Sequence, residues 1–227
     1  MKTIFLTILL VNIPIVLASF FFAVVLLRRG KNPIYFNFGM AVLSLALWSV
    51  AEELLFFNPF SYFFVVLDQL TFLFGIWIVH YFLIFTMNFP IPTSKKLRQQ
   101  VLLYIVTSII SFSFFLPGWY TQNVYANFPF VYIYDNPLGL TIYAFYFFVL
   151  GLLSFKNLIF RYIQSDGILR IQLKRIIIGT ALVLLINFFS SITIYYFSAF
   201  STAPIGVLFT SMTLIYIYSI LFTKKAN

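Results

Sequence analysis

The chain has 227 residues, of which 63% are apolar and only 8% charged, and its formal net charge is +9. An ordinary soluble domain carries about 25% charged residues, so this composition excludes a water-soluble globule and indicates an integral membrane protein. Cysteine is absent and His80 is the sole histidine, which excludes disulfides, thiolate chemistry and a histidine-rich metal site.

The first apolar run, 4–27, opens with "MKTIFLTILLVNIPIVLAS", a secretory-signal-like stretch. It continues through "FFFAVVLL" to Arg28, so it is expected to remain as an uncleaved first helix. Pro14 is expected to kink it, with Asn12 beside the freed backbone groups. The second run, 34–57, stops at "NPFS", and the third, 62–87, stops at "NFPIPTSKK". The fourth covers 100–116 and stops at "PGW". A long connection, 117–139, follows, in which 128–134, "FPFVYIY", has strand propensity and is expected to form a lid or a short hairpin. The fifth run covers 138–160, the sixth 175–198 and the seventh 205–222. Between the fifth and sixth, "RYIQSDGILRIQLKR" reads as a basic amphipathic link in the headgroup layer. A span needs about 20 apolar residues, with a range near 17–25. On that criterion the expectation is an all-α integral membrane protein, a single domain over 1–227 built as a seven-transmembrane helix bundle.

The charges suggest an orientation. Arg28, Arg29, Lys31, Lys95, Lys96, Arg98, Arg161, Arg170, Lys174, Arg175, Lys224 and Lys225 all fall on one side if every run crosses. Lys2 and Asp135 fall on the other. The positive-inside bias then places the N-terminus outside and the C-terminus in the cytoplasm. It also accounts for the +9 without nucleic acid. The expected location is the cell membrane, multi-pass. The Phe-, Ile- and Tyr-heavy composition suggests a prokaryotic source.

Polar residues inside apolar runs are costly and often functional. Glu52 and Glu53, in "LALWSVAEELLFFNPF", lie within about 8 Å of the end of the second run. Asp68 and Gln69, in "VVLDQLTF", lie at similar depth on the third. These four, with Trp119 in the following connection, are the candidate ligand-binding residues. The plain alternatives are carboxylates solvated at the interface and a structural hydrogen-bond cluster. His80 lies twelve residues beyond Asp68, about 18 Å along a helix. It reads as a neutral ring bonded across to another helix. Lys156, in the fifth run, can snorkel to the interface. The last run, "GVLFTSMTLIYIYSILF", has no lysine, which argues against a retinal Schiff base. There is no GxxxxGK or GxGxxG phosphate loop.

The stretches "NIPIVLASFFFAVVLLRR", "ALWSVAEELLFF", "FTMNFPIP", "NPLGLTIYAFYFF", "LRIQLKRIIIGTAL" and "APIGVLFTSMTLIYIYSIL" together resemble the N-terminal seven-transmembrane sensor region of bacterial histidine kinases. The resemblance implies a sensor or anchoring module. The phosphoacceptor helix and ATP-binding domain of that family have no counterpart in these residues, so no autophosphorylation is expected. The functional expectation is a non-enzymatic sensor or receptor-like module of signal transduction. The alternatives are a small-solute or ion transporter and a structural membrane subunit. No cofactor and no metal are expected. The expected partners are membrane lipids, an unidentified extracellular or membrane ligand, and a cytoplasmic signalling partner or a second copy of the chain.

Overall fold

The computed structural model describes residues 2–57, 61–90, 97–119, 121–127, 130–187 and 210–217. Two Asn-Pro pairs set helix starts. Asn32 Oδ1 accepts the Ile34 N–H at 2.9 Å, and Asn136 Oδ1 accepts the Leu138 N–H at 3.0 Å. The proline that follows each lacks only an N–H that a first helical turn leaves unused. The helices are α1 (Lys2–Arg28), α2 (Pro33–Phe57), α3 (Ser61–Asn88), α4 (Leu97–Ser113), α5 (Pro137–Ile163) and α6 (Gly167–Asn187). A further helical stretch, α7, covers residues 210–217.

Between α4 and α5 lies an antiparallel hairpin of β1 (Thr121–Asn127) and β2 (Phe130–Asp135), with Val124 opposite Ile133 and Ala126 opposite Val131. The expected strand over 128–134 is met by β2, while residues 128–129 lie outside the described ones. β1 lies against α3, and β2 touches α2.

The main core joins α1, α2, α3, α5, α6 and α7 through Leu26, Phe38, Leu45, Phe85, Leu158, Ile176 and Leu214. α4 stands at the edge. It touches α3 and turns Leu102, Ile105, Ile109 and Phe112 outward. At the opposite end from the hairpin, Arg29 lies over the Tyr35 ring at 5.9 Å and Arg170 over the Tyr162 ring at 5.0 Å.

Three helices among the described residues are long and apolar enough to cross a bilayer: Pro33–Leu55, Phe63–Asn88 and Pro137–Ile163. At 23, 26 and 27 residues they reach about 35–40 Å, enough for a hydrocarbon core of about 30 Å. The chain is therefore a multi-pass integral membrane protein, as expected for the cell membrane. Lipid contact is consistent with these apolar spans, of which α5 is the least buried.

The seven-span bundle is corrected by the same observation. α4 has 17 residues and begins Leu97-Arg98-Gln99-Gln100. α6 carries Arg170, Lys174 and Arg175 within its own length, because the helix restarts at Gly167 rather than after the basic stretch. Gly167 adopts φ 59°, a left-handed turn that an L side chain resists. In α1 the stretch that counts as an apolar helix is Asn12–Arg28, short of a span, and the described part of α7 is residues 210–217. Residues 188–198 of the sixth run, and all of the seventh outside 210–217, lie beyond the described residues. The N-out, C-in orientation depended on seven crossings, and three crossings do not carry it.

Candidate functional site

α2 places Trp48 and Glu52 one turn apart on one face, the i, i+4 relation of helix neighbours. The Trp48 side chain is the hydrogen-bonding neighbour nearest the Glu52 carboxyl. Glu52 is only 6% exposed, and its Oε2 has no hydrogen-bond partner among the described residues. Glu53 points about 100° away around the helix, toward α1, where Asn12 is its polar neighbour. By distance and angle neither Glu53 oxygen completes a hydrogen bond. On α3, Asp68 and Gln69 are both buried. Thr71 Oγ1 donates to the Asp68 backbone carbonyl at 2.8 Å, the local back-bond that serine and threonine make in helices.

Burial removes the interface-solvated reading for Glu52 and Asp68. Glu52 and Glu53 act on each other electrostatically, and no three His, Asp or Glu groups among the described residues converge as metal ligands would. Trp119 is exposed in the turn that leaves α4. Lys156 is exposed on α5, where its long stem can reach the interface.

His80 ends a polar chain that crosses three helices, with Thr107 at its middle. Its ring is fully buried. Thr107 Oγ1 of α4 lies 2.7 Å from His80 Nδ1 and 2.8 Å from the Tyr146 hydroxyl of α5. Tyr104 packs edge-on to the imidazole, with centroids 4.5 Å apart, and Trp77 does the same at 4.9 Å. The expected cross-helix hydrogen bond of His80 is thus present, and its partner is Thr107. Thr107 and Tyr146 escape a sequence reading, because a threonine in an apolar helix usually bonds its own backbone. Ser19, Ser49 and Ser154 all do so.

A cavity of about 60 Å³ lies between α2, α3, α5, α6 and α7. Trp48, Phe82, Phe147, Ser154, Thr180 and Thr210 contribute to its wall. Thr180 is 6% exposed and its Oγ1 has no hydrogen-bond partner among the described residues. Gly151 lets α5 and α6 close on each other beside it, since a Cβ there would come within 2.8 Å of Leu184 Cδ2. None of the four polar candidates Glu52, Glu53, Asp68 and Gln69 lines the cavity. Glu52 reaches it through Trp48, which bonds the carboxyl at one edge and walls the cavity with its ring. Trp48, Ser154 and Thr180 are the residues that sequence alone leaves unmarked. An indole one turn before a glutamate is the signal that would have found the first.

Compared with models of known protein families and with curated proteins, the chain matches none. The resemblance to the sensor region of histidine kinases is therefore corrected. The stretches behind it are apolar runs ending in basic or Asn-Pro punctuation, and membrane helices of any origin produce those patterns.

Proposed function

We propose that the chain is a non-enzymatic, receptor-like membrane module that takes a small neutral solute into the cavity between its helices. The reading is supported above all by Trp48, which belongs both to the cavity wall and to the buried carboxyl of Glu52. About 60 Å³ is twice the volume share of one water, ~30 Å³. A solute of a few heavy atoms fits it. The apolar wall favours hydrocarbon, and the unsatisfied Thr180 hydroxyl favours one hydrogen-bonding group. Five helices meet at this point, so occupancy that favours one packing over another shifts the balance between them. A partner that contacts the helix ends can read that shift.

Photolabelling with a short-chain diazirine alcohol, in liposomes, tests the reading. Adducts are expected on peptides carrying Trp48, Phe82 or Phe147, and Val183→Phe, which fills the cavity from α6, is expected to abolish them. Proteoliposomes are expected to show no uptake of the alcohol, protons or small cations above protein-free controls. Absence of cavity adducts would sink the ligand site. Protein-dependent uptake would make the chain a transporter instead.

A further inference from the structure

α6 is divided lengthwise by charge. Arg170, Lys174 and Arg175 fall in its first half, and 176–186 holds no charged residue. A helix of this kind sets its basic turns at the headgroups and the rest in hydrocarbon. Beside the boundary, a groove of about 390 Å³ opens between α6 and α7. Arg175 stands at its head, and Ile178, Leu182, Met212 and Tyr216 form its sides. Gly179 lies at the floor, where a Cβ would come within 3.0 Å of Thr213 Cγ2, so the two helices meet closely beneath an open channel. From Arg175 to Leu182 the channel follows the helix for about 10 Å, roughly two-thirds of one leaflet of hydrocarbon.

Among the described residues the lining is apolar apart from one guanidinium and two hydroxyls, and none of it is acidic. Arg170 is already engaged over Tyr162. Arg175 is exposed and carries the fork of donors that matches a phosphate. A cation at headgroup level above an open, apolar-sided channel is complementary to one class of molecule. We propose that this groove is a binding site for an anionic phospholipid, its phosphate on Arg175 and one acyl chain lying along Leu182 and Met212. The site is separate from the cavity and does not depend on the function proposed for it.

Native mass spectrometry of the full chain in a neutral detergent tests this, with phosphatidylglycerol and phosphatidylcholine of identical chains as ligands. One phosphatidylglycerol is expected to bind in preference to phosphatidylcholine. Arg175→Gln is expected to weaken it roughly tenfold, the scale of losing one charge-assisted hydrogen-bonding group. Lys174→Gln, which removes equal charge from the neighbouring position, is expected to leave it nearly unchanged. Leu182→Trp and Met212→Trp fill the channel from exposed positions without altering charge, and each is expected to weaken binding while the melting temperature stays near that of the parent. Equal binding of the two lipids would overturn the proposal, as would equal effects of Arg175→Gln and Lys174→Gln. Full binding by both tryptophan variants would leave the channel without a role and overturn it too. Displacement by glycerol phosphate at matched concentration would mean a headgroup-only anion site, and would likewise overturn it.

Discussion

Thr107→Val removes one hydroxyl from the middle of the His80–Thr107–Tyr146 chain and keeps the side-chain shape. A hydroxyl has a single proton, so Thr107 donates in at most one of its two bonds and accepts in at least one. Hydrogen bonds between membrane helices average about 0.6 kcal/mol, with a maximum near 1.7. Losing two therefore costs about 1 kcal/mol on average. His80 raises the figure. Its Nε2 already lacks a partner among the described residues, so the substitution leaves a fully buried imidazole with none of them on either nitrogen. A buried polar group left unsatisfied costs about 1–3 kcal/mol. Tyr146 is only half-buried and can turn its hydroxyl elsewhere. The expected loss is about 1–3 kcal/mol. Thr107→Ser keeps the hydroxyl and removes one methyl, for less than about 1 kcal/mol. Ser111→Ala, one turn along α4, deletes a buried hydroxyl that has no partner, and is expected to be neutral or slightly stabilising. The assay is reversible unfolding in mixed micelles with rising dodecyl sulfate, followed by far-ultraviolet circular dichroism at fixed pH. Coincident curves for Thr107→Val and Thr107→Ser would refute the hydrogen-bond account. So would a Ser111→Ala variant that falls as far as Thr107→Val.

Two further outcomes follow from close contacts in the same bundle. A Cβ at Gly75 would come within 2.5 Å of the Tyr143 hydroxyl, so Gly75→Ala is expected to cost about 1–3 kcal/mol by overpacking, and Tyr143→Phe in that background to recover most of it. Additive effects in the same unfolding assay would show that this contact does not limit the approach of α3 and α5. Trp48→Phe removes the donor to Glu52 and part of the cavity wall, and is expected to cost at least about 2 kcal/mol. Glu52→Gln keeps an acceptor for the indole and is expected to cost under about 1 kcal/mol, so equal losses would separate Trp48 from Glu52.

Helix ends were the most legible part of the sequence, because charge and Asn-Pro pairs mark them chemically. Arg28 closes α1 where the apolar run meets "RRGKNP", and Asn136-Pro137 opens α5. Counting apolar residues failed where a helix crosses a polarity boundary within its own length. α6 carries its arginines inside the helix, so the reading that treated 161–175 as a link placed its start eight residues late. Depth along a helix was readable for Glu52 and Asp68, but direction was not. Whether a carboxyl meets water or a neighbour depends on rotation about the helix axis, and runs apolar on every side give no face to read. The same uniformity hid the approach of Glu53 to Asn12, which the sequence had tied to the backbone near Pro14. Tertiary partners of Thr107 and Trp48 depend on which helices adjoin, and no local spacing encodes that.

Asn136 does more than start α5. Its Nδ2 also donates to the carbonyl of Gly118 at 3.3 Å, so one side chain clasps the exit of α4 to the entrance of α5. The hairpin is thus an excursion hung from a closed clasp rather than the strut that separates two helices. Loop closure costs only about 0.6 kcal/mol for each doubling of length. The β1–β2 segment is therefore free to lengthen, shorten or be exchanged for an unrelated insert while α4 and α5 keep their spacing. Among homologous chains, this is where length variation should collect, and in the laboratory it is the place to graft an epitope or a reporter onto the bundle.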